Sequence, residues 1–202
     1  MTRHQISMAV AAFAVAGLTV AAAAVASHAA PPPAGPAYAP DGKLLFPKDY
    51  RTWVYLSSGE NMSYTDDPAA ADHTMFDNVF VNPEAYAAFQ QTGTWPDRTV
   101  LVLEARAGQQ KGSINKRGHF QTERMAVEVH VKDTARFKGG WAFYSFNGEG
   151  PGSQFPPFAA CYSCHAQHAA VDTTFVQFYP TLLPLARAKK TLSPAYVREE
   201  SQ

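Results

Sequence analysis

Both cysteines of the chain lie in one five-residue motif, Cys161-Tyr162-Ser163-Cys164-His165. A Cys-x-x-Cys-His motif is typical of covalent haem attachment. Residues three and four positions apart share one face of a helix, so Cys161 and Cys164 can bond two haem vinyl groups while His165 binds the iron. The motif therefore predicts one covalent haem c per chain, attached through both cysteines, with His165 as the metal ligand.

Two other interpretations use the same side chains. A thioredoxin-type disulfide between Cys161 and Cys164 is expected at the start of a helix within a βαβ unit, and no such unit precedes the motif. A zinc site that added His165 and His168 would lack the loop that separates ligand pairs in structural zinc sites. We therefore prefer haem attachment, and we expect His168 at the surface or at the haem edge rather than as a second ligand.

The motif lies near the C-terminal end of the chain, whereas small electron-transfer cytochromes carry it near the N-terminus and use a later Met as sixth ligand. The chain after His165 contains no Met, and its one His is His168. Since a Met or His on a strand is more often a core or surface residue than a ligand, we expect an open or apolar distal side. The distal candidates in the preceding body are Met62, Met75, Met125, His73, His119 and His130.

The first 29 residues have the pattern of an export signal. Arg3 and His4 precede an uncharged, Ala-rich run over residues 6–26, and Ser27 and Ala29 place small residues at both recognition positions. We predict cleavage after Ala29 and a periplasmic mature chain with no membrane segment; an uncleaved membrane anchor is the alternative. Export suits haem c, because this cofactor is attached outside the cytoplasm.

Five prolines between residues 31 and 40 predict an extended linker over residues 30–40. No repeat or second composition break follows, so we expect one folded domain over residues 41–193 and a flexible tail over residues 194–202. The 17 Lys and Arg residues balance the 17 Asp and Glu residues without a basic cluster that could bind phosphates. Nucleic acid is therefore not an expected partner.

The domain combines a strand pattern with a helical end, which predicts an α+β fold with an antiparallel sheet. Short β-branched or aromatic segments predict strands over residues 53–56, 76–81, 99–106, 125–132 and 141–146. Asn82 as N-cap, Pro83 at the first position and Gly93 as a stop predict one helix between them. Two further helices are expected over residues 161–169 and 173–190, the second bent at Pro180 and Pro184.

Segments spread over almost the whole domain resemble the cytochrome P-460 family. They are LFPKDYRTWV at 45–54, VNPEAY at 81–86, TG at 92–93, VKD at 131–133, WAFY at 141–144, the haem motif, and FVQFYP at 175–180. The resemblance implies a β-rich, periplasmic mono-haem protein that is usually a homodimer. Members of this family and of the related cytochrome c′-beta oxidise hydroxylamine or bind gases such as nitric oxide.

One position departs from the hydroxylamine-oxidising members of that family. In those members a lysine on the strand after the Thr-Gly helix stop is joined covalently to the haem, and an ungapped alignment from Thr92 puts Leu103 at that position. Leucine cannot form this bond. Lys111 and Lys116 fall in a loop that strand alternation would not bring onto the haem face with Leu103. The resemblance therefore points to the c′-beta type, with Leu103 beside the cofactor.

Glu128 aligns with a family glutamate that can lie in the distal pocket. Strand alternation puts it on one face with Ala126 and His130, opposite Val127, Val129 and Val131. A carboxylate there could accept protons during oxidation of a bound nitrogen ligand. The alternative is a solvent-facing residue paired with a neighbouring Lys or Arg.

Two functions of different classes follow from these patterns. The first is a cytochrome that binds small gaseous ligands, with His165 on the iron and Leu103 on an apolar distal wall. The second is a haem enzyme that oxidises hydroxylamine or transforms nitrogen oxides, with Glu128 as catalytic proton acceptor and an external electron partner. A plain electron-transfer cytochrome is a third interpretation, which requires a Met or His to close the sixth coordination site.

Overall fold

The computed structural model describes residues 35–64 and 74–202. The predicted export signal over 1–29, its cleavage site, and the first residues of the predicted linker lie outside the described residues. Within the two described ranges, no helix combines the length and the apolar character that crossing a membrane requires.

The described residues form a six-stranded antiparallel sheet whose strands neighbour one another in chain order, which confirms the predicted α+β class. The strands are β1 (Val54–Glu60), β2 (Met75–Val81), β3 (Val100–Gln109), β4 (Phe120–Lys132), β5 (Trp141–Phe146) and β6 (Ser153–Gln154). The first five correspond to the predicted strands, although β1, β3 and β4 are longer than expected. The two-residue β6 was not predicted.

Alternation along the strands separates the two faces of the sheet. On one face, Val102, Val129 and Val131 are fully buried beneath the segment that contains Leu44 and Tyr50. Glu104 is buried on this same face, where Tyr50, Arg51 and Arg106 donate hydrogen bonds to its carboxylate. The opposite face packs against helices at one end and borders a cavity over the rest of its length.

Helix α1 (Pro83–Thr92) begins and ends where its sequence predicts. Pro83 occupies the first turn, where a missing N–H costs no hydrogen bond, and Gly93 closes the helix at φ 77° with its N–H donating to the Phe89 carbonyl. The expected side-chain cap is absent. The Asn82 Oδ1 instead accepts from the Val100 N–H at 2.8 Å, which ties the start of α1 to β3.

The C-terminal region differs from the predicted single helix over 173–190. After α2 (Ala160–His168), the chain forms a 3₁₀ turn at Val176–Phe178 and then a separate helix α3 (Leu183–Lys189). Pro180 has no N–H and restricts the residue before it, so the turn does not propagate into a helix. Pro184 lies in the first turn of α3, where proline is tolerated.

Both ends of the predicted domain extend further than expected. The expected flexible tail contains helix α4 (Pro194–Glu200), which is capped by the Ser193 hydroxyl accepting from the Tyr196 N–H and anchored by the buried Tyr196 ring. At the other end, Tyr38 from the expected linker pairs with Leu44, and its hydroxyl donates to Asp133 at 3.0 Å. Proline-rich sequence thus contacts the domain before residue 41.

Gly93 also brings α1 close to the C-terminal helices. A Cβ at this position would lie 2.8 Å from both Lys189 Cβ and Thr191 Oγ1, whereas a Cβ at Gly118 would meet nothing within 4 Å. Both glycines have positive φ, 77° and 75°. Alanine substitutions at these two glycines therefore separate the cost of backbone strain from the cost of overpacking.

We predict that Gly93→Ala destabilises the protein more than Gly118→Ala does. The left-handed conformation should cost each variant about 1–2 kcal/mol, and overpacking should add about 1–3 kcal/mol at Gly93 alone. Urea denaturation followed by circular dichroism measures the difference in unfolding free energy. Equal losses in the two variants would show that the contact with Lys189 and Thr191 is not tight in solution.

Candidate functional site

A cavity of about 850 Å³ lies between the second face of the sheet and the segment formed by α2 and the following turns. This volume is within the range of small-molecule and cofactor sites. Most of the lining is apolar, and it includes Val79, Leu101, Ala105 and Phe155. The cavity also brings together the five residues singled out in the sequence, which are Leu103, Glu128, Cys161, Cys164 and His165.

Helix α2 presents the Cys-x-x-Cys-His motif to this cavity. Cys161, Cys164 and His165 are partly buried and all three line it, as expected for positions three and four apart on one helix. Both thiols are free, so no disulfide joins them. His168 does not line the cavity, and its Nδ1 lies 3.2 Å from a Glu199 carboxylate oxygen at the surface.

A hydrogen bond fixes the tautomer of His165. Its Nδ1 lies 2.7 Å from the Thr173 carbonyl oxygen. Because a carbonyl can only accept, Nδ1 must carry the proton and donate it, which leaves the Nε2 lone pair available to a metal. Burial lowers the pKa of His165 and so favours the neutral imidazole that a metal requires.

Aromatic rings enclose the His165 imidazole. The ring centroid of Phe175 is 4.2 Å from that of His165, and the centroid of Phe143 is 4.6 Å away. His130 lies 5.2 Å away in an edge-on arrangement and stacks on Phe143 at 3.9 Å. These contacts restrict rotation of the imidazole about its side-chain bonds.

His130 contributes a buried polar atom to the wall of the cavity. Its Nε2 has no hydrogen-bond partner among the described residues, and the side chain is 8% exposed. Burial lowers the pKa of His130 well below its usual value, so the ring is neutral at physiological pH. An unsatisfied buried nitrogen facing a cavity is consistent with a bound group there that this chain alone does not supply.

Leu103 occupies the middle of the cavity wall formed by the sheet. In the register of the sheet it lies between Val79 on β2 and Glu128 on β4. Lys111 and Lys116, the two lysines nearest to it in the sequence, are exposed and do not line the cavity. No lysine is among the described residues that line it.

Glu128 faces the cavity, and none of the described Lys or Arg residues forms an ion pair with it. Sequence reasoning missed a second acid, Asp77, which lines the same wall. Desolvation by the cavity walls raises the pKa of Glu128, and the negative charge of Asp77 raises it further. Burial likewise raises the pKa of Asp77. Asp77 could have been found by alternation along β2, which puts residues 75, 77 and 79 on one face.

The Met and His candidates for a sixth iron ligand fall into two groups, those that line the cavity and those at the surface. Met62, Met75 and His130 line the cavity, the sulfur of Met62 lying against the backbone of Gly59. Met125 is 58% exposed, and the Nδ1 of His119 is 3.2 Å from a Glu60 carboxylate oxygen at the surface. His73 lies outside the described residues.

The family model for Cytochrome P460 matches residues 47–176, which is well over half of the chain. No match was found among curated proteins. The fold and the matched family define a haem-binding cytochrome. The chain belongs to the cytochrome P460 family.

The residues that border the cavity fit a haem. They supply a neutral imidazole with a free Nε2, two unpaired thiols on the same helix, and an apolar wall opposite them. Thr173 was not identified from the sequence, because its contribution is a backbone carbonyl and its side-chain type carries no signal for that role.

The raised pKa of Glu128 predicts a pH dependence of stability. A carboxyl group whose pKa is higher in the folded state binds its proton more tightly there, so its contribution to stability falls as pH rises above about 4.3, the pKa of an unperturbed Glu. Glu128→Gln should therefore gain stability relative to wild type between pH 4 and pH 7. Thermal denaturation of the haem-loaded proteins across that range measures the effect.

Glu123→Gln is the matched control. Glu123 is on the same strand but does not line the cavity, and hydrogen bonds lower its pKa, so its removal should produce no such gain. If the two Gln variants have the same pH profile, Glu128 is not desolvated in the folded protein.

Proposed function

We propose that the chain is a periplasmic mono-haem c-type cytochrome that binds a small gaseous ligand, such as nitric oxide, at an open distal haem site. The observation that carries this proposal is the apolar cavity wall around Leu103, opposite His165, with no lysine among its described residues. The periplasmic location rests on the predicted export signal, and a homodimer is proposed from the family resemblance. The proposed redox partner is an external electron donor or acceptor.

Three residues of α2 would hold the cofactor. Cys161 and Cys164 would form thioethers to it, and His165 would bind its iron through Nε2. Bound haem supplies an iron centre that changes oxidation state and coordinates small molecules. The protein contributes the orientation of the imidazole, through the Thr173 carbonyl, and a cavity wall of Leu, Val and Ala side chains that limits access of water.

An enzyme that oxidises hydroxylamine or transforms nitrogen oxides is the second candidate. The observation that favours it is the pair of carboxylates, Glu128 and Asp77, on the cavity wall. Oxidation of a nitrogen compound releases protons, and a carboxylate at the cavity would accept them. Glu128 would be the catalytic base, and desolvation, together with the charge of Asp77, raises its pKa towards the pH at which a base works well.

Plain electron transfer is a third candidate, favoured by the position of Met62 and Met75 on the cavity lining. Either thioether would have to close the sixth coordination site. A protein of this kind would bind external ligands only by displacing its own sulfur.

Covalent attachment gives the first functional prediction. Protein matured with the haem-attachment machinery should retain its haem through acid-acetone extraction, because thioether bonds survive that treatment. The double variant Cys161→Ala/Cys164→Ala should release its haem into the solvent. Ser163→Ala is the control, since Ser163 lies between the cysteines and its hydroxyl donates only to the Ala160 carbonyl. Retention of haem by the double variant would contradict covalent attachment.

Ligand binding gives the second functional prediction. With Leu103 at the cross-link position, the reduced protein should have an ordinary ferrous c-type spectrum and should bind carbon monoxide or nitric oxide without prior loss of a protein ligand. A reduced-minus-oxidised spectrum and a carbon monoxide titration test both points. A strongly red-shifted ferrous band, together with a lysine peptide joined to haem in a tryptic digest, would contradict the alignment at Leu103.

Sustained turnover would favour the enzyme instead. If wild type oxidises hydroxylamine over many cycles with an external acceptor, and Glu128→Gln keeps its haem but loses about 10²–10⁴-fold in rate, the gas-binding assignment is wrong. Glu123→Gln should leave that rate unchanged.

A further inference from the structure

The turn that supplies the acceptor for His165 has an unusual backbone. Val171 and Thr174 pair as an isolated antiparallel bridge, and between them Asp172 and Thr173 have φ values of 50° and 60°. Two successive residues with positive φ form the turn type in which Gly, Asn and Asp are preferred. A Thr in this conformation is uncommon, so the surrounding structure must hold it in place.

The Asp172 side chain joins this turn to the sheet. Its Oδ2 accepts from the Trp95 N–H at 3.1 Å and from the Lys132 ammonium at 3.1 Å. The same ammonium donates to the Trp95 carbonyl at 2.7 Å, so Lys132 connects both partners. Lys132 is at the end of β4, and its ammonium lies 5.5 Å from the ring centroid of Trp141 on β5.

A second connection holds the other end of the turn. The buried indole of Trp95 donates through Nε1 to Thr174 Oγ1 at 2.7 Å, and this hydroxyl donates to the Val171 carbonyl at 2.6 Å. Trp95 is 2% exposed and Thr174 1% exposed. The Thr173 carbonyl is therefore fixed between two anchored residues, Asp172 and Thr174.

We propose that Asp172 is a positioning residue for the haem ligand: held by Lys132 and Trp95, it fixes the Thr173 carbonyl that accepts from His165 Nδ1. The proposal rests on ligation of haem iron by His165. A firm hydrogen bond from Nδ1 raises the basicity of Nε2, and a more basic ligand stabilises the ferric state. The Asp172 anchor thereby lowers the reduction potential of the haem and strengthens the bond between iron and histidine.

The test compares Asp172→Ala with Asp172→Asn in the haem-loaded protein. Asp172→Ala removes the acceptor for Trp95 and Lys132, so it should raise the reduction potential and lower the iron–histidine stretching frequency in the resonance Raman spectrum of the ferrous protein. Asp172→Asn retains a side-chain oxygen and a residue type that tolerates positive φ. It should restore most of both values.

Asp97→Ala controls for general loss of stability. Asp97 lies in the same loop as Trp95, and its Oδ1 accepts from the Thr134 N–H at 2.8 Å, but no hydrogen bond connects it to the turn at Val171 and Thr174 among the described contacts. It should lower the melting temperature without moving the potential or the Raman band. An Asp172→Ala protein with wild-type values for both would overturn the proposal.

Lys132→Gln decides the question if Asp172→Ala does not fold. Loss of the ammonium weakens the Asp172 anchor, so the potential should rise by a smaller amount, and an unchanged potential would overturn the proposal. Failure of the proposed function is distinguishable, because a wild type that binds no carbon monoxide would contradict gas binding while leaving the comparison of potentials intact. A wild type with no c-type haem spectrum would instead remove the premise that His165 binds haem iron.

Discussion

The period-two alternation of β3 and β4 is the constraint on which the rest of the structure depends. One set of residues, including Val102 and Val129, packs the core, and the intervening set, including Leu103 and Glu128, borders the cavity. A shift of one residue in either strand would exchange the two sets. Burial of apolar side chains on the first face therefore determines which side chains the second face presents to the cavity.

On the side of the site that contains α2, the hydrogen-bond acceptor for His165 comes from a turn rather than from a regular helix. In a continuous helix over 173–190, the Thr173 carbonyl would accept from the N–H four residues later and would not be available to His165. In the turn at Val171–Thr174, the Thr173 carbonyl is free of helical hydrogen bonding and accepts from His165, and the 3₁₀ turn at Val176–Phe178 follows. The strain in this turn is offset by the bonds from Lys132 and Trp95 to Asp172.

A feature of this protein could be predicted from the sequence when it depends on side-chain types, and was missed when it depends on the backbone alone. The five longer strands, α1 and the haem motif are visible because alternation, capping residues and Cys-x-x-Cys-His spacing are side-chain patterns. The break within 173–190 was predicted only as a bend at Pro180 and Pro184, whereas Pro180 separates the 3₁₀ turn from α3 altogether. The turn before it was missed, because it has Asp172 and Thr173 at positive φ, where no glycine marks it. The two-residue β6 is too short to show alternation, and α4 was hidden by the expectation that chain ends fray.

The cavity combines an apolar wall with two acids, and this combination sets the chemistry of the distal side. Under the proposed function, an apolar wall at Leu103 would favour small neutral ligands over ions, because an ion would lose its hydration there without compensation. Desolvation raises the pKa of both carboxyl groups, Glu128 and Asp77, and the negative charge of Asp77 raises the pKa of Glu128 further. Glu128, which faces the open cavity, therefore takes up a proton more readily than a fully solvated glutamate does. Under the proposed function, Glu128 would donate a hydrogen bond to a bound ligand when it is protonated and would accept a proton from one when it is ionised. The same side chain would then favour ligand binding at low pH and proton abstraction at high pH, which joins the two candidate functions through one titratable group.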